Sequence, residues 1–167
     1  CHPVFSRCTP YPYTALLETA TTLKGWQTIM RLSREEALMR TAEVTAERST
    51  CSRRKVGAVV ARDSRIISTG YNGAPTGMPH CNHRLDELPS HGCPWAVHAE
   101  ANALVFAARH GITTANAQLF TTLSPCVECA KLMVNAGISV VWFRHDYRDP
   151  SGVELLEAAG VVVRKLA

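Results

Sequence analysis

His98-Ala99-Glu100-Ala101-Asn102-Ala103-Leu104, followed 20 residues later by Ser124-Pro125-Cys126-Val127-Glu128-Cys129, is the part of the chain that decides its fold and chemistry. One histidine and two cysteines at C-x-x-C spacing supply three zinc ligands and leave the fourth tetrahedral position open for water. Glu100 lies two residues past the histidine. That is too close for a convenient second ligand but well placed to move protons on water. Each half also reads as the start of a helix, where the positive end of the dipole stabilises thiolates. Pro125 suits a helix start because its missing N–H is not needed there. Two alternatives stand beside this reading: His98 as a satisfied core histidine, and the cysteines as half of a closed structural zinc site. A closed site would need a fourth protein ligand, whereas three ligands and a nearby acid fit an open one.

Outward from these motifs, the chain alternates helical and strand signals. His98 to Ala108 has the periodicity of a buried helix and reaches Gly111, a C′ residue; Cys126 to Ala136 is a second helix, closed by Gly137. Gln118 to Thr122, Val140 to Phe143 and Val161 to Arg164 read as strands, with a helix from Val153 to Ala159 closed by Gly160. Upstream, Ser33-Arg34-Glu35-Glu36 has the form of a capping box opening a helix to about Arg48. Val56 to Ala61 and Arg65 to Tyr71 are β-rich runs joined by a hairpin at Arg62-Asp63-Ser64, and residues 72–89 form an irregular loop with three prolines. The order α-β-β-α-β-α-β-α-β predicts an α/β fold, with a mixed sheet and helices on both faces.

Composition narrows the function without deciding it. The 167 residues fit one domain; 46% are hydrophobic and 19% charged, and the net charge of +4 suits an anionic small molecule or a nucleic acid equally. No apolar run approaches the roughly 20 residues of a membrane span, and no secretory signal is seen. Seven cysteines, several close to histidines, favour thiolate metal ligation in a reducing cytoplasm over a disulfide framework. Residues 1–30, broken by Pro3, Pro10 and Pro12, read as a poorly ordered extension to a domain spanning 31–167, with Met30 a possible natural initiator.

H-x-E followed by P-C-x-x-C is the signature of zinc-dependent nucleobase deaminases. The two quoted stretches, continued by Ala130-Lys131 and Asn135-Ala136-Gly137-Ile138, resemble the cytidine/deoxycytidylate deaminase superfamily. Gly70-Tyr71-Asn72-Gly73-Ala74-Pro75 is similar to a segment of deoxycytidylate (dCMP) deaminases, and Cys51 to Ala58 has the look of their bacterial and phage forms. The resemblance runs from about Leu32 to the C-terminus. It implies a cytidine deaminase-like three-layer α/β/α fold with five strands, conversion of dCMP to dUMP and ammonia, and a homo-oligomer, often a hexamer. Zinc would be held by His98, Cys126 and Cys129, with Glu100 carrying protons.

By the same resemblance Asn72 would hydrogen-bond the sugar, the backbone at Ala99 and Ser124 would read the pyrimidine edge, and Tyr147 would pack near base or sugar. A 5′-phosphate needs cations, for which Arg53, Arg54, Lys55 and Arg148 are available; Arg54 and Lys55 could equally be a solvated strand edge. Cys51, Cys81 and Cys93 match cysteines of a second, structural zinc site that some relatives carry, with His83 favoured over His91 as the fourth ligand. dCTP and dTTP are effectors of many relatives and are thought to engage the Gly-Tyr-Asn-Gly loop. No membrane or nucleic-acid partner is expected. Competing readings are a tRNA adenosine deaminase, a 5-substituted dCMP deaminase, riboflavin-pathway or free-base deaminases, and a zinc-stabilised binding module without catalysis.

Overall fold

The computed structural model describes residues 31–81, 93 and 95–167; the expected extension at 1–30, together with His83 and His91, lies outside the described residues. Helix α1 (Arg34–Ala46) opens on Ser33, whose Oγ accepts a hydrogen bond from the Glu36 N–H at 3.0 Å. The reciprocal half of the capping box is not made. The Glu36 carboxylate turns instead to Arg40 and to Arg144, 108 residues away in sequence.

Strands β1 (Gly57–Arg62) and β2 (Arg65–Tyr71) pair antiparallel through a turn in which Asp63 and Ser64 both have positive φ, at 51° and 61°. That is the signature of a two-residue type I′ connection, whose twist matches that of the strands it joins. Then follow α2 (Ala99–Arg109), β3 (Gln118–Leu123), α3 (Val127–Asn135), β4 (Val140–His145), α4 (Ser151–Ala158) and β5 (Val162–Lys165). The sheet order is β2-β1-β3-β4-β5, with β1 antiparallel to β2 and β3, and the β3-β4 and β4-β5 pairs parallel. The mixed five-stranded sheet and the element order are those expected from sequence; α4 begins two residues earlier, at Ser151, than its apolar pattern indicated.

Period-2 alternation sends each strand's side chains to two different cores. Ala58, Val60, Leu119 and Val141 face α2, α3 and α4, where Ala99, Ala103, Cys129, Met133 and Leu156 complete a core of mostly small and medium side chains. Val59, Ala61 and Phe120 face α1, where they meet Met39 and Ala42, with Trp142 packed alongside. On the first face, β2 and α2 approach until backbone meets backbone. A Cβ on Gly70 would stand 2.2 Å from the Ala99 carbonyl and 2.5 Å from the Ala103 nitrogen, so only glycine fits. The Ser68 hydroxyl donates to the Ala103 carbonyl at 2.6 Å, and the Asn102 amide donates to the Tyr71 carbonyl at 2.7 Å.

Helices α2, α3 and α4 end alike. Gly111, Gly137 and Gly160 take positive φ, and the next N–H in each case returns to the carbonyl five residues back: Ile112 to Ala107, Ile138 to Met133, Val161 to Leu156. This paired-bond cap satisfies the last carbonyls and aims the chain at the next strand. No helix among the described residues is long and apolar enough to cross a membrane.

Candidate active site

The ligand residues sit at two helix entrances. His98 is the N-cap of α2 and Cys126 the N-cap of α3, both with extended backbone and neither using its side chain to cap. Their side chains are therefore available to each other. Pro125 stands one residue ahead of the cap, not inside the first turn as its place in the motif suggested. Val97, just before His98, is pinned by a two-way backbone bridge to Gly73, with N–O distances of 3.1 and 2.8 Å. Glu100 and Cys129 follow within the first turns and are buried.

His98 Nδ1 lies 3.4 Å from the sulfurs of both Cys126 and Cys129. Zinc–sulfur bonds of about 2.3 Å and a zinc–nitrogen bond of about 2.0–2.1 Å at the tetrahedral angle put nitrogen and sulfur about 3.6 Å apart, so the donors stand close to the spacing such an ion requires. Among the described residues only these three bring three ligand atoms within 4.8 Å of one another. Glu100 Oε2 is 3.7 Å from the Cys129 sulfur, at the margin of the ligand set.

The electrostatics suit a cation. A hydrogen bond from Cys129, reinforced by His98, holds the Cys126 thiol down at about 3, whereas that same shared proton and then burial push Cys129 well up. Metal ligation needs both sulfurs as thiolates, so binding a divalent ion would release the proton that the pair retains. The hydrogen bond with Cys126 raises His98. Burial raises Glu100, favouring the protonated form of its carboxyl.

His98, Glu100 and Cys126 line a cleft of about 570 Å³, with Cys129 buried behind them. Arg53, Arg54, Asn72, Ala99, Ser124, Tyr147 and Arg148 all line it, as do Cys51 and Cys93. Lys55 does not. Its ammonium pairs instead with Glu47 at 2.6 Å on the surface. Asn72 lines the cleft with an amide that is already largely engaged: Oδ1 accepts from the Ser49 hydroxyl at 2.6 Å and the Val56 N–H at 2.8 Å, while Nδ2 donates to the Arg54 carbonyl at 2.7 Å. One N–H of Asn72 remains for a ligand. The Ser124 N–H is committed to the His145 carbonyl at 2.8 Å, so only its carbonyl is left to face a ligand. The guanidinium of Arg148 lies over the Tyr147 ring, 5.7 Å from its centre.

Of the three further cysteines among the described residues, Cys81 and Cys93 place their sulfurs 3.7 Å apart, and burial, followed by the hydrogen bond with Cys93, raises the Cys81 thiol. Sequence reasoning missed Asp146, whose carboxylate lines the cleft and pairs with Lys165, and Ser49, which orients Asn72. Asp146 adjoins the quoted Tyr147; nothing in the local sequence marks Ser49.

Residues 32–145 match the model of the cytidine and deoxycytidylate deaminase zinc-binding region. ComE operon protein 2 of Bacillus subtilis is 37% identical over 137 residues, which cover 81% of this chain and 72% of that protein. Deoxycytidylate deaminase of Saccharomyces cerevisiae is 38% identical over 148 residues, covering 83% of this chain but 46% of the yeast enzyme, so the chain spans under half of that relative. Among solved structures, the dCMP deaminase of cyanophage S-TIM5, crystallised in complex with dCMP and dUMP, superimposes with a TM-score of 0.75 at 38% identity, over 82% of this chain and 99% of that one. The zinc-type ligand triangle, the buried acid beside it and these likenesses converge, and the chain belongs to the cytidine and deoxycytidylate deaminase family.

Proposed function

We infer that this chain hydrolyses dCMP to dUMP and ammonia. The observation that carries the reading is one cleft lined by His98 and Cys126 of the His98-Cys126-Cys129 triangle, by buried Glu100 and by three arginines. Zinc, when bound by those three residues, supplies the Lewis acidity that makes water a nucleophile near neutral pH. Glu100 takes the proton from the attacking water as oxygen adds to C4 of cytosine and delivers it to N3. It then takes the remaining proton from the C4 hydroxyl and passes it to the C4 amine, so that the C–N bond breaks with loss of ammonia and a C4 carbonyl remains.

The other residues bind and orient. The first N–H groups of α2, at Ala99, and the Ser124 carbonyl face the base edge; the remaining Asn72 N–H serves the sugar, and Tyr147 packs beside it. Arg53, Arg54 and Arg148 meet the 5′-phosphate, in a site that tolerates dianions because its cations outnumber Asp146, itself neutralised by Lys165. A second zinc at Cys51, Cys81 and Cys93, completed by His83 or His91, is supported by the Cys81–Cys93 spacing, which is close to the roughly 3.8 Å between two thiolates on one tetrahedral ion. Homo-oligomeric, often hexameric, assembly finds support in Val105, Phe106 and Leu132, large apolar side chains exposed on α2 and α3. Regulation by dCTP and dTTP and a cytoplasmic setting rest on family resemblance.

Ammonia release from dCMP, deoxycytidine, a 5-substituted dCMP and tRNA tests the reading. Turnover of dCMP well above that of the unphosphorylated nucleoside is expected; deamination of tRNA in preference to dCMP would replace the substrate assignment. Metal analysis returning two zinc ions per chain supports the second site, and one removes it.

A further inference from the structure

The segment after β4 does more than wall the cleft. It is fastened to the loop that carries Cys126 at three successive points. The Ser124 N–H donates to the His145 carbonyl at 2.8 Å, and the Tyr147 N–H donates to the Ser124 hydroxyl at 2.7 Å. At the third point α4 begins. The Asp149 carboxylate accepts from the Ser151 N–H at 3.0 Å, fixing the helix start, and buried Gly152 packs against the backbone of Pro125 and Cys126. A Cβ at Gly152 would stand 2.0 Å from the Pro125 carbonyl oxygen and 2.7 Å from the Cys126 carbonyl carbon. Neither is the end of a flexible side chain. Pro125 is itself fully buried and cannot retreat.

We propose that Gly152 is a positioning residue for the metal centre: its bare Cα sets how deeply the Pro125–Cys126 peptide sits, and through it where the Cys126 sulfur meets His98. Cys126 needs such support because it is a helix N-cap with extended backbone, tied into the helix only through its carbonyl, which accepts from the Ala130 N–H at 2.9 Å. Its sulfur also lies 3.4 Å from His98 Nδ1, a spacing that a displacement of a few tenths of an ångström would spoil for a tetrahedral ion. The inference rests on the zinc reading of the site above.

The sign of a substitution separates this role from a helical one. In the first turn of a helix, Gly152→Ala raises intrinsic helix propensity and, with room available, stabilises. Here it drives a methyl group into the backbone of a ligand residue. Full-length wild-type chain, Gly152→Ala and Gly160→Ala are stripped of metal, and zinc affinity is measured by competition with a chromophoric chelator. Cobalt(II) is then loaded to read ligand geometry from its visible absorption, and thermal unfolding of the metal-free proteins is followed alongside. Gly160, with φ of +81° and nothing within 4 Å of a built Cβ, is the comparison: alanine there strains the other end of α4 without touching Cys126.

The expected result is a loss of zinc affinity on the order of ten-fold or more in Gly152→Ala, the size seen when groups that orient a ligand are removed, with an altered cobalt spectrum. Gly160→Ala should unfold at lower temperature and bind zinc as wild type does. Unchanged zinc affinity and cobalt spectrum in Gly152→Ala would overturn the proposal. So would its recovery only as unfolded protein, which would place the glycine in the service of the fold. A wild-type chain that binds no zinc would instead overturn the zinc reading, a failure visible without any variant.

Discussion

The two faces of the sheet are built to different tolerances. Toward α1, large side chains interdigitate: Met39 and Phe120 are almost fully buried, and Phe120 stacks on Trp142 with ring centres 5.9 Å apart. Arg144 seals the rim with ion pairs of 2.9 Å to Glu36 and 3.0 Å to Glu43. Toward α2, α3 and α4 the core also holds Leu119, Met133 and Leu156, but the ligand-bearing segments are met by bare glycines, Gly70 against Ala99 and Ala103 and Gly152 against Pro125 and Cys126. Long side chains can adjust rotamers when a neighbour changes, whereas backbone against backbone cannot. One face supplies stability that is free to vary. The other holds the ligand-bearing backbone through contacts that leave no room for a side chain.

The sharpest break between the faces comes from Glu100→Gln. Turnover should fall on the order of 10²–10⁴-fold, the range for a positioned proton carrier, with zinc still bound and the fold intact. Near wild-type turnover would sink the proton-shuttle role. Met39→Ala, on the opposite face, should lower unfolding free energy by about 2–5 kcal/mol in denaturant titrations and leave turnover per folded molecule alone. A parallel loss of turnover would mean that the faces are not independent. In the cleft, Arg54→Ala should raise KM for dCMP about ten-fold or more and leave deoxycytidine unaffected, while Lys55→Ala changes neither. Ser68→Ala removes one hydrogen bond to α2 and should cost about 1 kcal/mol, read as a small drop in midpoint.

The smallest effect is on acid stability. Hydrogen bonds from Arg40 and then Arg144 hold the Glu36 carboxyl below its ordinary 4.5. A depressed carboxyl contributes stability above the unfolded-state value, and that contribution is lost as pH falls through the folded one. Glu36→Gln should therefore narrow the stability difference between pH 7 and pH 3. An unchanged acid profile would show that the Arg144 pairs are too solvated to matter.

How far the sequence could be read follows the same division. Element order and the ligand set were legible because both are local: alternation sorts Leu119 from Phe120 and Val141 from Trp142, and C-x-x-C brings Cys126 and Cys129 to one helix start. What escaped depends on residues distant in the chain. Glu36 looked like the second half of a capping box, but a partly buried guanidinium 108 residues on is the better partner. Lys55 sat in a basic run beside Arg54, yet its neighbour across the strap is Glu47. Asn72 was legible as a cleft residue, but nothing near it said that Ser49 and Val56 would occupy its oxygen. Gly152 carries no motif; its meaning lies in a peptide 26 positions earlier.

The strand order has a consequence for how the chain folds. His98 enters from a helix resting on β2 and β1, Cys126 from one following β3, and within the sheet these halves are joined where β1 pairs with β3, as Ala58 does with Thr121 some 60 residues on. That pairing closes the longest loop in the sheet and belongs to the slow, entropically costly class of contacts. Before it forms, the histidine and the thiolates have no common position. Metal uptake during refolding is therefore expected to trail the closure of that seam, so that the rate of zinc capture reports on the joining of the sheet's two halves rather than on helix formation.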